Sequence, residues 1–123
     1  MSTTHRHPVD PTAVAHAADG VPAPDEAQRL ADLLGLLADP TRVRMLFALV
    51  AADELCVGDL ALALGVTEDQ SSYALKLLRT AGLVQTRRDG RVVHYRLADA
   101  FPHQLLDHCL RELLSITEDG ADR

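Results

Sequence analysis

The residues best equipped for chemistry in this chain are one cysteine, one aspartate and a scatter of histidines. Cys56 and Asp59 stand three positions apart at the start of a short predicted helix, so both side chains can point to one side. A thiolate and a carboxylate are two of the roughly four ligands a zinc ion takes. Two ligands do not close such a site. His5, His7 and His16 lie in the first two dozen residues, where an arm could bring them to it. One thiolate with imidazoles and a carboxylate suits Zn(II) better than As(III), with Ni(II), Co(II) or Cd(II) as further candidates. The same residues have a plainer account. Cys56 can be a small buried hydrophobe, Asp59 an ordinary polar residue, and the His5–His7 segment a solvated tail.

The elements that must position these groups fit one domain. The chain has 123 residues, and domains run to about 100–150. With 47% hydrophobic residues it can bury one modest core but not two. No apolar run approaches the ~20 residues of a bilayer span, and no apolar stretch near the start reads as a secretory leader. Cys56 and Cys109 cannot make a disulfide framework, which fits a reducing, cytoplasmic setting. There is no Gly-rich phosphate loop and no activated-nucleophile motif, so an enzyme is not expected.

Residues 1–24 carry Pro8, Pro11, Pro22 and Pro24 and are expected to form a flexible, His-containing arm. Residues 25–117 read as the folded domain and 118–123 as a tail. Leu30, Leu33, Leu34, Leu36 and Leu37 give a first amphipathic helix. Asp39-Pro40 caps and starts a second. Val57, Leu60, Ala61, Leu62 and Leu64 give a short third, stopped by Gly65. Thr67 and Gln70 form a capping box for a fourth, which runs to about Ala81. Leu83–Arg88 and Arg91–Leu97 flank Asp89-Gly90, a hairpin signal. A last helix is expected from about Asp99, with Phe101, Leu105, Cys109, Leu113 and Ile116 on one stripe and Cys109 in the core. That stripe, widened by more leucines, is broader than one neighbour needs, as for a homodimer face shared with the first helix. The fold class is mainly α with a β-hairpin wing, a winged helix-turn-helix dimerising through its first and last helices.

The net charge of −6 argues against nucleic acid only until it is located. Residues 67–96 hold six basic and three acidic residues, a local +3, while the remainder carries −9. A duplex responds to potential within about a Debye length, ~8 Å at physiological salt, so the local value matters. Ser71, Ser72, Tyr73 and Lys76, near the start of the fourth helix, are placed to reach base edges. Thr67 and Gln70 suit a phosphate at the positive helix end. Arg87, Arg88 and Arg91 suit the backbone or the minor groove.

Several segments together resemble the ArsR–SmtB family of metal-responsive repressors. Leu37-Ala38-Asp39-Pro40-Thr41-Arg42-Val43-Arg44 resembles the opening of its second helix. Glu54-Leu55-Cys56-Val57-Gly58-Asp59-Leu60 resembles the start of its third, and Arg79–Val84 and Gly90–Leu97 its recognition-helix end and wing. The resemblance covers about residues 25–116. It implies a homodimer that binds double-stranded operator DNA without metal and releases it when Zn(II) or a similar cation binds. In zinc-type members an arm Cys and His join the matching Cys and Asp across the dimer, and here histidines would replace the arm cysteine. A second family site on the last helix would fall at Asp99, with His103, His108 and Glu112 as rearranged ligands, unless that helix is only a dimer face. Two departures stand out. Tyr73 replaces a common histidine, and Gly58 replaces the second cysteine of arsenic- and cadmium-type members. The same dimer sensing thiol oxidation or another ligand is the alternative reading. An interaction module or small metal buffer without an operator is a third.

Overall fold

The computed structural model describes residues 9–121. The chain divides into two units, residues 1–32 and 33–123, with the boundary inside a helix.

In the first unit Pro11 and Pro24 stand where helices begin. Asp10 caps α1 (Pro11–Gly20), its carboxylate accepting the Ala13 N–H at 3.0 Å, and Pro11 takes the first helical position. Pro there loses no hydrogen bond and presets φ. Pro24 likewise opens α2 (Pro24–Leu37), where Glu26 reaches back to the Ala23 N–H at 3.1 Å. Residues 11–20 are thus helical, contrary to the expectation that proline density would prevent it. His16 is exposed on α1, and His5 and His7 lie outside the described residues.

The second unit holds the core. Asp39 accepts the Arg42 N–H at 3.0 Å and starts α3 (Pro40–Ala52), as its sequence signal required. Arg42 Nε donates to the Leu36 carbonyl at 2.6 Å, tying α3 to the end of α2. Met45, Leu46 and Leu49 face inward and are fully buried. At Asp53, φ is 64°, and the Glu54 N–H donates to the Ala52 carbonyl at 2.6 Å. This γ-turn is strained for a residue with a Cβ. It delivers the chain into β1 (Leu55–Cys56), a strand too short to be read from the sequence. Next come α4 (Val57–Leu64), ended by Gly65 at φ 69°, and α5 (Glu68–Thr80) behind the full Thr67–Gln70 capping box.

β2 (Val84–Asp89) and β3 (Val92–Leu97) form the wing, and β1 joins it in the antiparallel order β1-β3-β2. Asp89 pairs with Val92, so the turn is Gly90-Arg91, one residue later than expected. Gly90 has φ 63°, the conformation a two-residue hairpin needs at its first turn position. Leu60, Leu64, Leu75, Leu78, Val84 and Leu97 complete one cluster with the α3 residues. Each such side chain stabilises the fold by about 1.5–3 kcal/mol on burial.

The last helix starts beyond Pro102 rather than at Asp99. Its segment Leu105–Leu110 is a π-helix, followed by α6 (Arg111–Ala121). Phe101 is buried ahead of the helix, not along it. The π-helical i→i+5 bonding slips the phase of a stripe drawn at α-helical spacing. Leu106 is therefore buried while Cys109, expected in the core, is exposed.

Candidate nucleic-acid interface

α4, the link Gly65-Val66-Thr67 and α5 form a helix-turn-helix, with α5 its second member and the β2–β3 hairpin directly after it. Thr67 Oγ1 accepts the Gln70 N–H at 3.0 Å, and Gln70 Oε1 accepts the Thr67 N–H at 2.9 Å. Both side chains therefore brace the N-terminal end of α5, whose first turn also carries Glu68 and Asp69.

Ser71 is not a base-reading residue. Its side chain is fully buried, and its hydroxyl donates to the Val57 carbonyl at 3.0 Å, locking α5 to the start of α4. Ser71→Ala removes the hydroxyl that ties α5 to that carbonyl. Urea denaturation should show a loss of about 1–2 kcal/mol, with no change in the salt dependence of DNA binding. The neighbouring Ser72, Tyr73 and Lys76 do face outward, Tyr73 at 63% exposure.

On the wing, Arg88 and Arg91 are exposed and make no ion pair among the described residues. Arg87 is held: its guanidinium donates to Glu54 with Nη2–Oε1 at 2.6 Å and Nε–Oε2 at 3.1 Å. The Arg87 hydrogen bonds hold the Glu54 carboxyl below its usual range, and Glu54 in turn raises Arg87. The pair thus survives mild acid and lets go only as pH falls through the lowered Glu54 value. Glu54 was not singled out in the sequence because its partner lies 33 residues away. Releasing the arginine with Glu54→Gln should raise DNA affinity severalfold and steepen the salt slope by up to about 0.9 per protomer, read by fluorescence anisotropy.

Cys56 is the N-cap residue of α4, half-buried, with no side-chain capping bond. Asp59 is exposed in the first turn of the same helix. Two donors thus stand at one helix start, and Cys56 pairs across the sheet with His94 of β3. Among the described residues no three His, Cys, Asp or Glu side chains converge on a point. Cys56 and Asp59 by themselves therefore do not close a tetrahedral site.

The four residues expected on the last helix do not assemble as a site among the described residues. Asp99 is engaged by Arg96, and His103 lies 6.5 Å from the Phe101 ring. Only His108 and Glu112 meet, with Nε2–Oε1 at 3.4 Å. The later helix start removes Asp99 from the helix that was to align all four.

Leu34, Leu37, Phe47, Leu106, Leu110 and Leu113 line an apolar groove of about 420 Å³. Leu113, Leu114 and Ile116 remain exposed along α6. No helix among the described residues is long and apolar enough to cross a membrane.

Residues 39–86 match the family described as bacterial regulatory protein, arsR family. Over 75 residues the chain is 51% identical to a transcriptional repressor SmtB homolog of Synechocystis, covering 61% of this chain and 56% of that protein. The match thus spans little more than half of that relative. Over 91 residues it is 42% identical to the HTH-type transcriptional regulator CmtR of Mycobacterium tuberculosis, covering 73% of this chain and 75% of that one. The fold superposes with a TM-score of 0.55 and 27% identity on a homodimeric winged helix-turn-helix DNA-binding domain from Mycobacterium bovis, a possible ArsR-family transcriptional regulator. That superposition covers 84% of this chain and 89% of that one. The fold is a winged helix-turn-helix, and the chain belongs to the ArsR family of bacterial regulatory proteins.

Proposed function

We propose that this protein is a cytoplasmic, homodimeric transcriptional repressor that binds operator DNA and lets it go when a divalent cation, Zn(II) foremost, is captured at Cys56 and Asp59. The observation that carries the DNA-binding half is the location of unpaired charge. Lys76, Arg79, Arg88 and Arg91 lie on α5 and the wing without an acidic partner among the described residues. Exposed Tyr73 offers a polar group to base edges, and Lys76 and the wing arginines offer affinity. Tyr73, where relatives commonly have histidine, gives this chain its own operator preference.

The apolar groove between α2, α3 and the last helix suits a second copy of the chain. A twofold dimer would set two α5 helices about one helical turn of DNA apart. Cys56 and Asp59 would hold the ion together with His5, His7 and His16 of the arm, the arm of the other protomer being the natural donor. A bound ion would supply a cross-link between those groups. Cys56 belongs to β1, and β1 is hydrogen-bonded to wing strand β3 with Cys56 opposite His94 and Leu55 opposite Tyr95. A shift at Cys56 is therefore transmitted to the wing through main-chain bonds. Coupling of about 1–3 kcal/mol suffices for 5- to 150-fold release, and it is reciprocal, so DNA must weaken metal capture by the same factor.

The DNA-binding half is tested with a labelled duplex from upstream of the protein's own gene. Nanomolar binding at 50 mM salt that falls steeply and log-linearly with salt supports it. Absence of binding at any salt removes it. The competing sensor, oxidation of a thiol, rests on exposed Cys109 and half-buried Cys56. Peroxide-driven release that chelators leave untouched would favour it.

A further inference from the structure

A crevice of about 420 Å³ runs between α5 and the wing, lined by Ser72, Lys76, Arg79, Thr80 and Tyr95. We infer that it seats one phosphate diester of the DNA backbone and so clamps the reading helix and the wing to the same strand. This rests on the DNA-binding reading above.

The chemistry of the lining points to such a group. It offers two cations and three hydroxyls, with no carboxylate among the lining residues. Ser72, Lys76, Arg79 and Thr80 recur at i, i+4, i+7 and i+8 and so share one face of α5. Tyr95 comes from β3, where it pairs with Thr86 on one side and Leu55 on the other. Its ring packs against the core. None of the five polar heads makes a side-chain hydrogen bond or ion pair among the described residues. The contrast with their neighbours is informative. Ser71, Gln85, Arg87 and Arg96 are each engaged by a protein partner. Five unengaged donors around one polar crevice are what an anion of several oxygens requires, and Arg, Lys, Ser, Thr and Tyr are the side chains that hold DNA phosphates. Ser72 and Lys76 are then removed from base reading, which is left to Tyr73.

The test compares wild type with Arg79→Gln, Thr80→Ala and Tyr95→Phe, each checked by melting, on the upstream duplex and on a scrambled duplex of equal length. Arg79→Gln should lower the salt slope by about 0.9 per protomer and weaken binding about fivefold per protomer at 0.15 M salt, by the same factor on both duplexes. Tyr95→Phe and Thr80→Ala should each cost two- to fivefold, again on both. A loss confined to the upstream duplex would make these residues base readers and overturn the clamp, as would unchanged slopes in all three variants. Inorganic phosphate, compared with chloride at equal ionic strength, should compete weakly with both duplexes for wild type and not for Arg79→Gln. Competition equal in wild type and Arg79→Gln would place the anion elsewhere and overturn the clamp. If wild type binds neither duplex at low salt, it is the DNA-binding reading that has failed.

Discussion

Replacing Arg88 and Arg91 together with glutamine is expected to weaken DNA binding by two to three orders of magnitude while leaving the melting temperature within a few degrees. Both side chains are exposed and unpaired among the described residues, so little folding free energy depends on them. Both sit at the end of the wing, Arg88 opposite Val93 and Arg91 in the turn itself. Each phosphate contact contributes about 0.9 to the slope of log affinity against log salt. Four arginines removed from the proposed dimer should therefore reduce that slope by roughly 3 to 4. Arg87 is left out of this set because Glu54 already holds it. The loss should be uniform across sequences where, as proposed, these residues grip the backbone. A loss restricted to one sequence would mean that the wing reads the minor groove directly.

Cys56→Ser is expected to weaken Zn(II) capture by at least about a hundredfold and to abolish cation-driven release of DNA. Serine keeps the size and the helix N-cap position but replaces a soft thiolate with a poor ligand that is not ionised at neutral pH. Changes to the outer partners of a metal ligand already cost 10- to 100-fold, so loss of a direct ligand costs more. Cys56 makes no capping hydrogen bond, so fold and DNA affinity should remain intact. Competition against a chromophoric chelator gives the affinity, and anisotropy of labelled DNA gives the release. Retention of both would remove Cys56 from the sensing site. Gly58 offers the converse change. A Cβ there meets nothing nearer than the Glu68 carboxylate at 3.8 Å, so the Cβ of Gly58→Cys fits, and the change adds a second thiol two residues from the first.

Much of this was legible in the sequence where local chemistry decides local structure. The Asp39-Pro40 start, the Thr67–Gln70 capping box and the Gly65 stop are all satisfied by atoms within four residues. The alternation of the wing strands needed only its neighbours. What escaped depended on distance or on phase. β1 exists only because Leu55 and Cys56 find Tyr95 and His94 some forty residues later. Ser71 and Ser72 are adjacent and alike in type, yet one is buried under Val57 and the other is exposed, a difference set by helix packing. α1 is not evident from the sequence because dense prolines argue for a break, although Pro11 stands at a helix start, where it favours helix. The π-helical segment slipped the last stripe and turned Cys109 outward. Arg79 and Tyr95 became visible as a pair only when the strand folded back beside α5.

The most direct test follows a labelled upstream duplex, fully bound by wild-type protein, as Zn(II), Ni(II), Co(II) and Cd(II) are titrated in turn. The account predicts that anisotropy falls to the free-DNA value with at least one of these cations, that a chelator restores it, and that Cys56→Ser does not respond. A complex that stays assembled under all four would contradict it.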